Sequence, residues 1–517
     1  MTLRVHSRFH MRPNGMMKND SLLRLSKVWP QLRWGAQKTS VYLRGYASGF
    51  FARPALFRPN PQNAHNETIS HHPATAPFSK SDQKCYPLRP MNDTAKPPVE
   101  ITVEISSLAS GGSCVGTITA PEEQAGKKAF IHYTAPGERV TAIVTQKKKS
   151  FVNAALKEIL SPSPERTTPR CPVFGQCGGC DIQHINLPAQ RRIKASMVDD
   201  LLRVHGGIVV EGGVKVLGDD LPGFEYRRRM SFHMNKKAEF GLYRKNGRAI
   251  VELTQCPIST PAINKCLEEN IDLFRGCAPE AETVTIEDHD EGIFVALEIH
   301  PRNDKALTTL VPKEAFQELI KRVPNLQVNY RHKPIFKAES RSTDAPPIGH
   351  FSQNNRVANQ VMLEYILQHV KSERVTDLYA GAGNISIPLA LAGHIVTAVE
   401  VDPFLVEFGI SRAIESGVSD RLTFHKKPCE KWIESNTGDT SVVLDPPRGG
   451  ALEVCQRLSP DKVTDIVYVS CYPPTFARDV QVLAQRGYSL KTVQMLDMFP
   501  QTYHAELVAV ISATAAS

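Results

Sequence analysis

No run of roughly 18 or more consecutive apolar residues, the minimum for a bilayer-spanning helix, occurs in the 517 residues. The sequence therefore offers no membrane-spanning helix, and any surface attachment would need an amphipathic segment. Acidic side chains are almost missing from the first 60 residues, where 11 Lys or Arg stand against the single Asp20. Between about Ala64 and Pro98 apolar periodicity is missing too; His, Pro, Asn, Ser and Thr dominate and cannot repay the entropy of ordering a chain. No disulfide framework is needed at this length. What is present is ample apolar residue (41%) for two to four cores, with an excess of 62 Lys and Arg over 53 Asp and Glu. That excess suits a polyanionic partner but equally an ordinary basic protein.

The basic, acid-poor leader, rich in Ser, Leu and aromatics, has the composition of an organellar transit peptide. Arg44-Gly45-Tyr46-Ala47-Ser48 resembles a mitochondrial cleavage site. Residues 1–46 are thus expected to be a targeting peptide and 47–97 a linker, with the mitochondrion as the destination. A disordered basic arm or a start placed too far upstream is the alternative, and would leave the protein in the cytoplasm.

Strand-like runs Val99–Ile105, Lys128–Tyr133 and Glu138–Val144, separated by Gly and Pro turns, predict a small closed barrel over 98–160. Its final strand is expected to carry Lys147, Lys148 and Lys149 ahead of Phe151, charge and ring suited to an RNA backbone and stacked bases. Farther on, Ile193, Met197, Leu201 and Val204 have helical spacing within Gln190–Val204, and strands are expected near Met230–Met234, Phe240–Tyr243 and Ile293–Ile299. Residues 161–345 read as an α+β region. From Val375 a strand and glycine loop open an alternation of helices and strands, the pattern of a doubly wound parallel sheet over 346–517.

Cys171-Pro172-Val173-Phe174-Gly175-Gln176-Cys177-Gly178-Gly179-Cys180 puts three thiols on one short loop, and Cys256 is the candidate fourth. Four thiolates satisfy either tetrahedral zinc or an iron–sulfur cluster. Cys85, Cys114, Cys266, Cys277, Cys429 and Cys455 have no comparable spacing and read as packing or surface thiols. Asp377-Leu378-Tyr379-Ala380-Gly381-Ala382-Gly383-Asn384 can bring backbone donors to a ligand at the sheet crevice, with Glu400 ending the next strand where ribose hydroxyls would sit. Asp445-Pro446-Pro447-Arg448 forms a stiff polar loop, and Cys471 stands just beyond the strand Val467–Ser470.

Taken together, these motifs over about 98–511 resemble the iron–sulfur, TRAM-domain branch of the RNA uracil-5-methyltransferase family, whose members act on 23S rRNA or on tRNA. The resemblance implies an α/β, class I S-adenosylmethionine-dependent methyltransferase fold, preceded by an N-terminal TRAM barrel and a central α+β iron–sulfur domain. It implies S-adenosylmethionine and a 4Fe-4S cluster as cofactors, structured rRNA or tRNA as partner, and no membrane; it assigns no oligomeric state. Carried over residue by residue, Cys471 is the nucleophile and Glu506, in Phe499-Pro500-Gln501-Thr502-Tyr503-His504-Ala505-Glu506, the base. Gln353, Tyr379, Asn384, Glu400 and Asp445 line the cofactor pocket, Cys171, Cys177, Cys180 and Cys256 bind the cluster, and His184 is structural. Two alternatives compete: a catalytically silent RNA-binding or ribosome-assembly protein, and a methyltransferase acting on an exocyclic amine, for which Cys471 and Glu506 would have no use.

Overall fold

The computed structural model describes residues 98–299, 309–330, 333–337, 353–435 and 441–514. The expected targeting peptide and linker, and Cys85 with them, lie outside the described residues. Strands β1 (Glu100–Leu108), β2 (Ser113–Ala120), β3 (Lys128–His132), β4 (Arg139–Lys147) and β5 (Phe151–Ser161) close into a barrel in the order β1-β2-β3-β5-β4. Alternation puts Ile101, Val103 and Ile105 of β1 inside, the period of 2 that a filled barrel requires. The three lysines are placed differently from expectation. Lys147 ends β4, Lys148 and Lys149 form the exposed turn, and Phe151 opens β5 with its ring 5.1 Å from Phe130 in an edge-to-face pair.

A second sheet runs β13-β12-β11-β10-β7-β8-β9, from β7 (Arg229–Met234), β8 (Phe240–Tyr243), β9 (Ile250–Glu252), β10 (Ala281–His289), β11 (Gly292–Ile299), β12 (Asn325–Tyr330) and β13 (Lys333–Lys337). Helices α2 (Pro261–Gly276) and α3 (Glu314–Arg322) bury Phe274, Leu267 and Phe316 in its separate core. In chain order α1 (Leu187–Gly206) and the short β6 (Lys215–Leu217) precede this sheet, yet they pack elsewhere.

The third sheet comprises β14 (Arg374–Leu378), β15 (Ile395–Glu400), β16 (Leu422–Lys426), β17 (Ser441–Leu444), β18 (Asp465–Ser470), β19 (Tyr488–Leu496) and β20 (Glu506–Ala513), with β6 as its outermost member, in the order β16-β15-β14-β17-β18-β20-β19-β6. Strands β14 to β18 are mutually parallel, and β20 inserts antiparallel between β18 and β19. Val442, Val443 and Leu444 of β17 are all buried, because a central parallel strand is covered on both faces. One face carries α4 (Arg356–His369), α5 (Ser386–Leu391) and α6 (Pro403–Glu415); the other carries α7 (Cys429–Ser435), α8 (Leu452–Arg457) and α9 (Pro473–Gln485).

Helix α1 also covers that second face, so one continuous core runs from the barrel through α1 to the parallel sheet. The break expected at 346 is therefore crossed by residues 187–217. The expected apolar face of α1 is rotated as well. Met197 is buried, but Ile193 and Leu201 are only partly covered and Val204 is 74% exposed, while Lys194 and Arg191 are buried. Asp497 holds them there: Lys194 Nζ donates to Asp497 Oδ1 at 2.6 Å, with Arg191 3.6 Å from the other oxygen. No helix among the described residues is long and apolar enough to cross a membrane.

Candidate active site

The carboxyl ends of β15, β14 and β17 form a crevice because strand ends leave backbone groups unpaired where the order of a parallel sheet reverses. Leu378 pairs with Val399 and with Leu444, so the next residues on each strand, Tyr379, Glu400 and Asp445, become neighbours. The chain turns sharply there. Tyr379, Gly381 and Gly383 have φ of +64°, +54° and +83°, and a Cβ on Gly383 would sit 3.1 Å from Ile387 and Phe424. Glu400 Oε2 accepts from Gly381 N at 3.0 Å and Oε1 from Asp402 N at 2.9 Å, leaving lone pairs for a ligand's hydroxyls. Asn384 exchanges amide hydrogen bonds with Asn359 at 3.1 Å. Buried Asp377 accepts from Ser386 and anchors the glycine loop; its carboxyl is pushed up to about 7 by burial, with Asp445 and Glu400 adding to the rise. Gln353 is half-buried just before α4. These are the groups a nucleoside with a charged tail would require: a close-approach glycine loop, an aromatic wall and an acidic strand end.

A cavity of about 900 Å³ lies beside this crevice. In the antiparallel ladder Val469 faces Val508 and Ser470 faces Leu507; one step farther sets Cys471 opposite Glu506. Directly opposed residues have Cα atoms roughly 4.5–5.5 Å apart and side chains on one face. Both line the cavity, with Arg448. Glu506 is 5% exposed, and burial together with Asp445 holds its carboxyl well above the usual range. Burial, Glu506 and Asp445 push the Cys471 thiol up to about 11, against the opposing pull of Arg448 and a backbone N–H. The Arg448 loop is itself fixed: Arg478 donates to Gly449 O at 2.8 Å, Thr475 to Arg448 O at 3.1 Å, and Asp479 accepts from Ala451 N at 2.6 Å.

Cys171, Cys177, Cys180 and Cys256 line the same cavity. Their loop is sutured to the β8–β9 hairpin by Gly178 N to Tyr243 O and Lys245 N to Gln176 O, both 3.0 Å, and Lys245 Nζ reaches Asp181 at 2.8 Å. Gly179 N donates to Cys177 Sγ at 3.3 Å and Gln183 to Cys180 Sγ at 3.2 Å, while Asn264 holds the Cys256 backbone. Burial raises the thiols of Cys171, Cys177 and Cys180, and in each the other cysteines' charges add to the rise. As the side chains stand, no group of three or more His, Cys, Asp or Glu among the described residues could hold a metal ion. His184 Nε2 donates to Thr134 O at 3.0 Å, and burial lowers its pKa to about 3, a neutral strut between barrel and thiol loop. Arg227, Asn354 and Tyr503 also line the cavity without having stood out in the sequence, where an isolated Arg or Tyr carries no pattern.

The tRNA (Uracil-5-)-methyltransferase family profile matches residues 430–513, and the TRAM domain profile matches 99–157. The chain is 32% identical over 415 residues to the 23S rRNA (uracil(1939)-C(5))-methyltransferase RlmD of Shewanella sp. (strain ANA-3), covering 74% of this chain and 90% of that protein. It is likewise 32% identical over 436 residues to RlmD of Salmonella typhimurium, covering 78% and 94%. Among solved structures, the tRNA (uracil-54, C5)-methyltransferase of Pyrococcus abyssi in complex with S-adenosyl-L-homocysteine is similar in fold, with a TM-score of 0.59, 22% identity, and coverage of 79% of this chain and 99% of that one.

Proposed function

The chain belongs to the RNA uracil-C5-methyltransferase family, and from that membership we propose that it methylates uracil C5 in structured rRNA or tRNA, with S-adenosylmethionine as methyl donor and Cys471 as covalent nucleophile. The observation that carries this reading is that Cys471 and Glu506, flanking the last paired positions of two adjacent antiparallel strands, line one cavity. An sp² ring carbon with a hydrogen is a poor nucleophile; a thiolate adding to C6 makes C5 enolate-like, so that C5 can bond to the methyl carbon of S-adenosylmethionine with S-adenosylhomocysteine as the leaving group. The Glu506 carboxylate then takes the C5 proton, the C5–C6 double bond re-forms and the C6–S bond breaks, returning the thiolate.

Charge orders these steps. Two anions side by side in a buried site are costly, so thiolate and carboxylate disfavour one another. Once the sulfur is bonded to C6 its charge is gone, and ionisation of Glu506 becomes easier when a base is needed. Tyr379, Asn384, Glu400, Asp445 and Gln353 hold the methyl donor in this reading, and the crevice's glycine loop and acidic strand end support it. With C5-deuterated RNA, label should be lost on methylation. A Glu506→Gln protein should accumulate a methylated protein–RNA adduct by mass spectrometry. Retention of label, or an N-methyl product, would favour amine methylation; binding with no transfer would favour the silent RNA-binding protein.

The four thiols are proposed to hold a 4Fe-4S cluster. Support comes from a donor set of sulfur alone and amide donors aimed at two of the sulfurs. Its part is to brace the RNA-facing cavity. Anaerobic preparation should give iron and acid-labile sulfide together; stoichiometric zinc without sulfide would reject it. The acid-poor leader supports a mitochondrial location, which a fluorescent fusion of residues 1–46 tests.

A further inference from the structure

The segment 497–505 between β19 and β20 ends on Glu506, and its geometry is set largely from outside its own sheet. Gln501 is the centre of that arrangement. It is 1% exposed and has φ +70°, the left-handed region that an ordinary side chain enters only when its surroundings fix it. Its carbonyl accepts from Asp181 N at 2.9 Å and Ile182 N at 3.1 Å, the residues directly after Cys180. Its backbone N donates to Gln190 Oε1 at 3.0 Å, its Oε1 accepts from Gln190 Nε2 at 2.9 Å, and its Nε2 donates to Gly223 O at 3.1 Å. Gln190 Nε2 also reaches Ile182 O and Ile185 O, at 3.1 and 2.8 Å. One residue thus joins the thiol loop, α1, the 218–228 connection and the loop that delivers Glu506.

We propose that Gln501 is a positioning residue for the proton-abstraction step, fixing the Glu506 carboxylate against C5 by tying its loop to the thiol loop and to Gln190. The proposal rests on the reading of Glu506 as base. Abstraction is the step most sensitive to this placement, because the carboxylate must meet one carbon-bound proton while the C6–S bond lies ready to break. Addition and methyl transfer depend on Cys471 and the cofactor crevice, whose elements do not hang from Gln501.

The test uses Gln501→Gly in the full chain. Glycine accepts φ +70°, so the carbonyl still meets Asp181 and Ile182, while the side-chain ties are lost. Expected are a methylated covalent protein–RNA adduct that accumulates during turnover, a kcat lower by on the order of 10- to 10²-fold, and a KM for RNA within about twofold of wild type. Gln190→Met cuts the same tie from the other side and should give the same pattern, which covers the case in which the glycine variant does not fold. Unchanged kcat, or a raised KM with no adduct, in a folded variant overturns the proposal. Glu506→Gln is run in parallel: an adduct there but not with Gln501→Gly overturns the positioning role alone, and an adduct in neither overturns the reading of the site together with it.

Discussion

The cofactor crevice and the reaction cavity stand side by side at one edge of the same sheet, but they are assembled by opposite means. The crevice is local: Tyr379, Gly381, Gly383 and Glu400 come from one strand–loop–helix–strand passage, fixed by neighbouring amides such as Gly381 N on Glu400. The cavity is collected from the thiol loop, Arg227, the β8–β9 hairpin, Cys471 and the loop before Glu506, segments separated by up to hundreds of residues. A local site fails by small steps when one atom is misplaced, whereas a collected site fails when any brace is cut.

The sharpest separation of the two comes from Cys471→Ser. Turnover should fall on the order of 10³-fold or more, since a neutral hydroxyl is a poor conjugate-addition nucleophile, with S-adenosylmethionine affinity by calorimetry unchanged; wild-type turnover would refute the covalent route. Next is the brace beneath the cavity. Lys194→Met leaves Asp497 buried with only Arg191 near it, and should cost roughly 3–5 kcal/mol in urea unfolding. Adding Asp497→Leu should recover much of that loss, and equal stability of single and double variants would show the pair to be energetically idle.

Acidity gives a third contrast. Because burial and the flanking carboxylates push the Cys471 thiol up to about 11, the reactive thiolate is scarce at neutral pH and is gained as pH rises. Single-turnover adduct formation should therefore climb about tenfold per pH unit from 7 to 9, while cofactor binding is flat from about pH 8 to 9, above the titration of Asp377 at about 7. Arg448→Gln, removing the cation that lowers this thiol, should shift the curve to higher pH; a flat profile for adduct formation would sink the assignment. The smallest effect belongs to the crevice. Gly383→Ala, with its Cβ 3.1 Å from Ile387 and Phe424 and φ at +83°, should weaken S-adenosylmethionine by about 1 kcal/mol, roughly fivefold, with RNA binding unaltered.

The same contrast governs what could be read from the sequence. Alternating strands and glycine turns reveal the barrel, and Asp377–Asn384, Glu400 and Asp445 announce a crevice at the strand ends because their spacing follows the strand–loop–helix geometry. Helix α1 was legible as a helix but not in its orientation. Lys194 and Arg191 look like solvent-facing positions until Asp497, about 300 residues away, makes their burial affordable, and that rotation carries Val204 out to solvent. Gln501 is silent for a similar reason: its backbone conformation and its partners Gln190, Asp181 and Gly223 belong to other segments, and no local pattern encodes them. Lys147 to Lys149 were seen as charge but set one element off, because a tight turn rather than a strand end separates β4 from β5.

Strand β6 has a consequence for how the chain is made. Lys215–Leu217 lies parallel to Gln494–Leu496 and caps the outer side of β19, so a piece synthesised early must wait for one of the last strands to emerge before either is paired. Until then β19 has a bare row of amides and carbonyls, a template for another chain, and the apolar side of α9 that faces α1 is uncovered. A fragment of residues 346–517 should accordingly aggregate by light scattering, and co-expression with residues 98–345 should return it to solution. Residues 98–345 would then act toward the catalytic sheet as an intramolecular chaperone that stays bound.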